Sequence, residues 1–282
     1  MMAPEYYTFT GREGEVMIPD HVTHVLIEKV KFVRARAFMH HPNIEEVICH
    51  DGVEKIEQLA FYLCPSLRRV IMPGVKVIEE RAFDRCKALN YTECGKLEII
   101  RERAFTRCES LSGVDLPSIK IVERYAFHAC YNLTNAKFGM ELESIRDMAF
   151  SFTSLKRITL PLKDGMIDNA WVFNGLKHVD LVGGVHETVA ALLLEEWKND
   201  MNEEINSINE VLSDTPSDDF IFAGWEDQAI DTWIRSVLRK ITHYEVEHRL
   251  YLNVTTALEP ALSNDIVLNN VLPFLSKSFE RG

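Results

Sequence analysis

The stretch from Ile56 to Pro73, IEQLAFYLCPSLRRVIMP, decides the fold because variants of it follow one another along most of the chain. Its Ala-Phe pair recurs at a nearly constant interval. The pairs end at Phe38, Phe61, Phe83, Phe105, Phe127 and Phe150, at intervals of 23, 22, 22, 22 and 23 residues. A degenerate copy, Val172-Phe173, follows after another 23 residues. Self-similarity at such a period predicts a solenoid of stacked units.

Each unit carries a short alternating run after the Ala-Phe pair, such as Leu67 to Pro73. Alternation with period 2 predicts a strand with one buried face, which gains stability by pairing with its copies in neighbouring units. Positions 73, 95, 117, 139 and 161 are Pro, Gly, Pro, Gly and Pro. We expect each to end a strand, Pro by its fixed φ and Gly by its freedom to take a positive φ. The Ala-Phe segment is expected to form a helical turn or irregular chain.

The unit, roughly I-x-x-x-A-F-x-x-C-x-x-L-x-x-V-x-L-P, resembles the BspA-like leucine-rich repeat over about residues 20–183. The resemblance implies an α/β solenoid, a right-handed superhelix with a parallel concave sheet, and a repertoire of protein binding or adhesion without catalytic residues. Residues 1–32 hold only a partial unit, and the last unit has lost its Ala and Cys. We predict an N-terminal cap over residues 1–32, a solenoid of about seven units over 33–183 and a helical segment over 184–282.

Helical spacing replaces the repeat after Gly184. One apolar stripe, predicting a helix over residues 186–212, consists of Val189, Leu193, Trp197, Met201, Ile205, Ile208 and Leu212. A second stripe, predicting a helix over 227–252, consists of Ile230, Trp233, Val237, Ile241, Tyr244 and His248. With a loop over 213–226 the two form an α-helical hairpin, and a shorter apolar stretch from Ile266 to Leu275 follows. The hairpin either caps the last repeat or presents an amphipathic face to a partner or a second copy.

The net charge of −12 is concentrated in this helical segment. Residues 1–183 hold 24 Lys and Arg against 25 Asp and Glu, a net charge near −1, whereas residues 184–282 hold 7 against 18, a net charge near −11. A polyanion would be repelled by the second part and would find no large basic excess in the first. This charge distribution counts against nucleic acid and an anionic membrane as main partners, although it leaves room for a local basic patch.

The beginning of the chain, MMAPEYYTFT, has neither the basic nor the apolar region of a signal peptide. No stretch reaches the roughly 18 apolar residues of a membrane-spanning helix. Cysteines in a chain without a secretory signal are typical of reduced intracellular thiols. We therefore expect a cytoplasmic protein that has no membrane association.

Four cysteines share one repeat position, namely Cys64, Cys86, Cys108 and Cys130. Stacked about 5 Å apart, their thiols would form a line of roughly 15 Å. Such a line cannot surround one zinc ion, whose sulfur ligands lie at about 2.3 Å. We interpret these four as buried small apolar residues, and Cys49 and Cys94 as inward-facing core residues.

The histidines form no recognisable metal site. His21 with His24 and the pair His40-His41 lack accompanying carboxylates, and the E-x-x-H motif of Glu245 and His248 lacks the second copy that a di-iron site needs. Nucleotide-binding, nucleophile-elbow and zinc-protease motifs do not occur. The sequence therefore predicts no metal, no cofactor and no enzymatic activity.

Strand geometry indicates a candidate binding surface. If Val47, Val70, Thr92, Val114, Ala136, Ile158 and Val179 point into the core, their neighbours point to the concave face. The candidates are Glu46, Arg69, Ile71, Tyr91, Glu93, Asp115, Asn135, Lys137, Arg157, His178 and Asp180. Mixed charge with aromatic and apolar anchors suits a protein partner, although solvated strand positions would have the same composition.

The functional hypothesis is an intracellular protein-interaction scaffold, with the acidic helical tail as a cap or second contact. A self-assembling structural or adhesion module and an enzyme with an unrecognised site are the alternatives.

Overall fold

The computed structural model describes residues 6–11, 18–167, 175–183, 195–213 and 225–258. Within these ranges the chain forms short parallel strands, numbered β1 to β15, followed by two helices. The predicted parallel solenoid is therefore confirmed. The degenerate pair Val172-Phe173 lies outside the described residues.

The longer strands form one side of the solenoid. They are β1 (Tyr7–Phe9), β2 (His24–Ile27), β4 (Glu46–Cys49), β6 (Arg69–Ile71), β8 (Tyr91–Glu93), β10 (Gly113–Leu116), β12 (Asn135–Phe138), β14 (Arg157–Leu160) and β15 (His178–Leu181). Their spatial order follows the chain, as β1-β2-β4-β6-β8 and then β10-β12-β14-β15. Pairing keeps the repeat register, with Val47 opposite Val70 and Ala136 opposite Ile158. Residues at the same repeat position therefore lie side by side in a row across the strands.

A second sheet, which the sequence did not predict, consists of two-residue strands. They are β3 (Phe32–Val33), β5 (Lys55–Ile56), β7 (Val77–Ile78), β9 (Ile99–Ile100), β11 (Ile121–Val122) and β13 (Ser144–Ile145). Each ends at the branched apolar residue four positions before the Ala-Phe pair, and that residue is fully buried. One buried residue per strand leaves no alternation that could indicate a strand in the sequence.

The core between the two sheets and the Ala-Phe segments contains a stack of phenylalanine rings. The rings of Phe38, Phe61, Phe83, Phe105, Phe127 and Phe150 follow one another with centroids 4.7 to 5.3 Å apart and interplanar angles of 3° to 13°. Phe9 of β1 covers the first ring edge-on at 5.0 Å. The spacing equals that of the paired strands, so identical aromatic residues fit in consecutive units. The phenylalanines of the described Ala-Phe pairs therefore form one continuous ladder in the core.

The Ala-Phe segments form turns that hydrogen-bond to one another. Phe61 N–H donates to the Ala82 carbonyl of the next unit at 2.8 Å, and the corresponding bond recurs between Phe105 and Ala126. The residue before Ala and the second residue after Phe take a positive φ, as at Leu59 (59°) and Leu63 (57°). Because this conformation is unfavourable for side chains other than Gly and Asn, the inter-unit bonds must stabilise it.

The glycines at the strand ends have a different role from the predicted one. Gly95 and Gly139 are not among the described residues with a positive φ, so that expectation was wrong. At Gly139 a Cβ atom would lie 1.8 Å from the Pro117 carbonyl oxygen of the preceding unit. Close approach of two backbones therefore requires glycine there.

The two helices are α1 (Glu195–Ser213) and α2 (Trp225–Leu258). The described members of the predicted apolar stripes are buried at Met201, Ile205, Ile208, Leu212, Ile230, Trp233, Val237 and Tyr244, whereas Ile241 is half-buried. The first stripe's Val189 and Leu193, the middle of the predicted loop and the stretch from Ile266 to Leu275 lie outside the described residues, as do the side chains of Trp197 and His248. Neither described helix has the length and apolar character needed to cross a bilayer.

The described residues fall into two compact units, whose limits are Met1–Val182 with Ile208–Thr232, and Gly183–Ser207 with Trp233–Gly282. In the second unit the helices run antiparallel and are joined by polar contacts. Trp233 Nε1 donates to the Glu204 carbonyl at 3.0 Å, and Lys240 Nζ contacts Asp200 at 3.0 Å. These contacts confirm the predicted helical hairpin.

Candidate functional site

The outward side chains of β4, β6, β8, β10, β12, β14 and β15 form a surface that we call the strand face. The structure places all the predicted binding residues on it, each exposed or half-buried, while the inward row from Val47 to Val179 is buried except at the half-buried Thr92. Residues from different units stand side by side in rows, such as Glu46, Arg69 and Tyr91. The strand face is thus a continuous set of side chains fixed by the sheet.

At its N-terminal end, charged and aromatic side chains contact one another across the strands. Arg69 Nε lies 3.4 Å from a carboxylate oxygen of Glu46, and the Tyr6 hydroxyl donates to the same carboxylate. This hydrogen bond raises the pKa of Tyr6. The Arg69 guanidinium also lies 5.0 Å from the centroid of the Tyr91 ring. Tyr6 was not predicted, because it precedes the first recognisable unit.

At the C-terminal end, Arg157 and Asp180 form a bidentate pair. Arg157 Nε and Nη2 donate to the two carboxylate oxygens of Asp180 at 2.5 and 3.0 Å, and His178 Nε2 lies 3.0 Å from the second oxygen. The hydrogen bonds from Arg157 lower the pKa of Asp180. The planar guanidinium is thereby held in one orientation on the strand face.

The middle of the strand face is less tightly organised. Lys137 Nζ lies 3.8 Å from Asp115, and both side chains are about two-thirds exposed at 64% and 65%. Asn135 is exposed and donates to the hydroxyl of its neighbour Thr134 at 2.9 Å. Ile71 is half-buried.

The sheet is interrupted beside this region. β8 and β10 are neighbours, yet no hydrogen-bonded ladder joins them, while the second sheet continues without a break from β3 to β13. We call this interruption the seam and define it by Tyr91–Glu93 and Gly113–Asp115. The inward residue of β8 is the half-buried Thr92, where β6 has the fully buried Val70. Weaker apolar packing at this row explains why the strands separate here.

The repeat cysteines lie in the core. All six cysteines of the chain are buried and free. The thiols of Cys64 and Cys86 donate to the carbonyls of Phe38 and Phe61 at 3.0 Å, and those of Cys108 and Cys130 make the same bond at 3.2 and 3.1 Å. Cysteine at this repeat position is therefore both a small apolar residue and a hydrogen-bond donor. The sequence predicted its packing in the core but not the hydrogen bond.

The histidines have separate partners. His41 is buried with Nε2 3.2 Å from the Pro19 carbonyl, and His24 Nδ1 lies 2.8 Å from the Thr23 hydroxyl. In the described part of the chain, no three His, Cys, Asp or Glu side chains are placed to hold a metal ion. The side chains of Glu245 and His248 lie outside the described residues.

The end of α1 that belongs to the first compact unit covers the free edge of the last strand, β15. Asn209 Oδ1 accepts from Val179 N–H at 2.8 Å, and Asn209 Nδ2 donates to the Val179 carbonyl at 3.2 Å. Lys177 Nζ also lies 3.4 Å from the Leu212 carbonyl. The amide of Asn209 thus satisfies the backbone groups of Val179 as a further strand would.

Solved structures of bacterial leucine-rich repeat proteins are similar to parts of this chain. A leucine-rich repeat protein of T. pallidum is 29% identical with a TM-score of 0.45, over 48% of this chain and 68% of that one. A leucine-rich cell surface protein of Faecalibacterium prausnitzii is 27% identical with a TM-score of 0.48, over 62% of this chain and 49% of that one. The chain thus spans about half the length of the second protein.

Comparison with curated proteins gives no match. The family model described as BspA type Leucine rich repeat region matches in 6 copies, over residues 31–118 and 76–180. The match spans more than half of the chain and includes all the Ala-Phe units that the structure describes. The chain therefore belongs to the BspA type leucine-rich repeat family.

Proposed function

We propose that this protein is a non-enzymatic scaffold that binds a protein partner through the strand face. The observation that carries the proposal is the ordered row of charged and aromatic side chains across consecutive units, with Arg69 between Glu46 and Tyr91 and Arg157 paired with Asp180. Tyr and Arg, together with Trp, are enriched among the few residues that dominate binding energy in protein interfaces.

Preorganisation supports the same proposal. Side chains held by contacts to neighbouring strands lose less conformational freedom when a partner binds, so more of the interaction energy remains as affinity. The mixture of charges also favours one orientation of a partner over others.

The helical tail is proposed to act as the C-terminal cap of the solenoid. The support is the pair of hydrogen bonds between Asn209 and Val179, which covers the edge of β15. An uncovered parallel edge could pair with the edge of another chain.

We further propose that the protein acts in the cytoplasm, which cell fractionation with an antibody to the chain would test.

The test of the binding proposal is a crosslinked pull-down from the native host with the full-length protein. The double variant Arg69→Glu/Arg157→Glu reverses two charges on the strand face. The matched control, Arg34→Glu/Arg36→Glu, makes the same net change at two exposed arginines beside a turn segment, where neither has an ion pair among the described residues. Circular dichroism establishes that both variants are folded.

We expect the strand-face variant to lose its captured proteins and the control to retain them. Capture that is unchanged in the strand-face variant would overturn the proposal. A molar mass of two chains in light scattering, lost in the strand-face variant, would instead identify a second copy as the occupant.

A further inference from the structure

Two acidic side chains lie at the same outward repeat position on either side of the seam. Glu93 of β8 and Asp115 of β10 occupy the same repeat position in consecutive units, and both are exposed. Elsewhere on the described strand face, neighbouring strands place opposite charges together, as in the pairs Arg69 with Glu46 and Arg157 with Asp180. Like charges at neighbouring positions repel each other, so the two carboxylates together attract a further cation.

Neither carboxylate is well neutralised by the chain itself. Glu93 accepts a hydrogen bond from the Tyr91 hydroxyl at 3.3 Å and has no cationic partner within 4.0 Å among the described residues. Asp115 has one, the largely exposed Lys137, at 3.8 Å. An ion pair of that length and exposure contributes little and can be replaced by a better donor.

Tyr91 adds an aromatic surface next to the two acids. The Arg69 guanidinium covers the ring from the side of β6 at 5.0 Å. On the side of β10 the same row holds Gly113, which has no side chain, and Tyr91 remains 45% exposed. A cation placed over Gly113 would therefore meet the second face of the ring, which attracts positive charge.

We infer that the seam is a binding site for an arginine side chain of a protein partner. Its planar guanidinium would stack on the open face of Tyr91 and donate to the carboxylates of Glu93 and Asp115, filling the space left by Gly113. Arginine fits better than lysine because its planar group both stacks on rings and donates in parallel to carboxylates.

The inference rests on the proposed function of the strand face and names the chemistry that it recognises. It is tested with the full-length protein and two pentapeptides, acetyl-Gly-Ser-Arg-Ser-Gly-amide and the same peptide with citrulline, the neutral isostere of arginine. Saturation-transfer difference NMR detects weak binding of such ligands. We expect the arginine peptide to show affinity about fivefold higher than that of the citrulline peptide.

Variants at the seam make the test specific. Tyr91→Ala should lower the affinity for the arginine peptide about fivefold and Glu93→Gln about threefold. Gly113→Leu should abolish binding by occupying the open face of Tyr91. It should still fold, because a Cβ at Gly113 meets no atom closer than the Asn135 carbonyl oxygen at 3.7 Å. Lys137→Gln should increase the affinity, since it removes the competitor for Asp115.

Equal binding of the two peptides, or binding of the arginine peptide that survives Gly113→Leu, would overturn the inference. If neither peptide binds while Arg69→Glu/Arg157→Glu still abolishes partner capture, the strand face binds proteins but the seam is not an arginine site. If that charge reversal leaves capture unchanged, the proposed function itself fails.

Discussion

At the scale of single residues, side chains in the core donate hydrogen bonds to backbone carbonyls of neighbouring units. The four thiols bonded to phenylalanine carbonyls are one example, and they explain why cysteine recurs at a position where alanine or valine would also pack. Their burial also determines their chemistry, since only the thiolate is nucleophilic.

The cysteines are expected to be inert in the folded protein. Burial raises the pKa of Cys49 and Cys94 to about 12 and raises those of Cys86 and Cys108 as well. A thiol reagent at pH 8 should therefore label none of the six buried cysteines until guanidinium unfolds the protein, when all six react. Rapid labelling of any cysteine in the native protein would contradict this account.

Asp84 is expected to cost stability at neutral pH. Burial raises its pKa above the ordinary value of 3.8, against the attraction of nearby arginines, and its Oδ1 has no hydrogen-bond partner. The folded state thus holds the proton more tightly than the unfolded state, so the cost is present at neutral pH and disappears as the pH falls below the unfolded pKa.

Asp84→Asn should therefore stabilise the protein at pH 7 by about 1 kcal/mol, and the gain should shrink towards pH 3. Thermal unfolding at several pH values measures the difference. A lower melting temperature for the variant at pH 7 would mean that the arginines outweigh the desolvation of the carboxylate.

At the scale of elements, β15 ends the described strand order, and Asn209 of α1 covers its free edge. Asn209→Ala would leave the N–H and carbonyl of the buried Val179 without partners, at a cost of about 2 kcal/mol. Urea unfolding should detect the loss, and amide exchange at Val179 should become faster. Asn206→Ala, an exposed position on the same helix, is the matched control and should change neither quantity.

The elements that could be predicted are those with a repeating pattern of burial. The strand from Arg69 to Ile71 was predictable because its alternation repeats in register in every unit. The two-residue strands were not, because one buried residue such as Ile78 has no period. The positive φ angles at Leu59 and Leu63 were not predictable either, since contacts between units override the local preference of leucine.

The candidate site was predictable only as a set of positions. Alternation along each strand identified Arg157 and Asp180 as outward neighbours, but their bidentate geometry depends on side-chain conformations that a sequence pattern does not specify. The seam was missed because its residues keep the repeat spacing. Its signals were the polar Thr92 in an apolar row and the acids Glu93 and Asp115 at one repeat position.

At the scale of the whole molecule, the chain combines a nearly neutral repeat region with a strongly acidic C-terminal segment. The end of α1 belongs to the compact unit of the repeats through Asn209, so a chain ending at Val182 would lose the cover of β15 along with the helices. The role of the strand face is therefore best examined in the full-length protein.

Site-specific photocrosslinking tests the central claim, that partners bind the strand face, most directly. The photoreactive residue p-benzoylphenylalanine is placed at the exposed Asn135 on the strand face or at the exposed Arg124 on a turn segment, in full-length protein in the native host. A crosslinked protein from position 135, absent from position 124, is the result that this account predicts. Crosslinks from position 124 with none from 135 would contradict it.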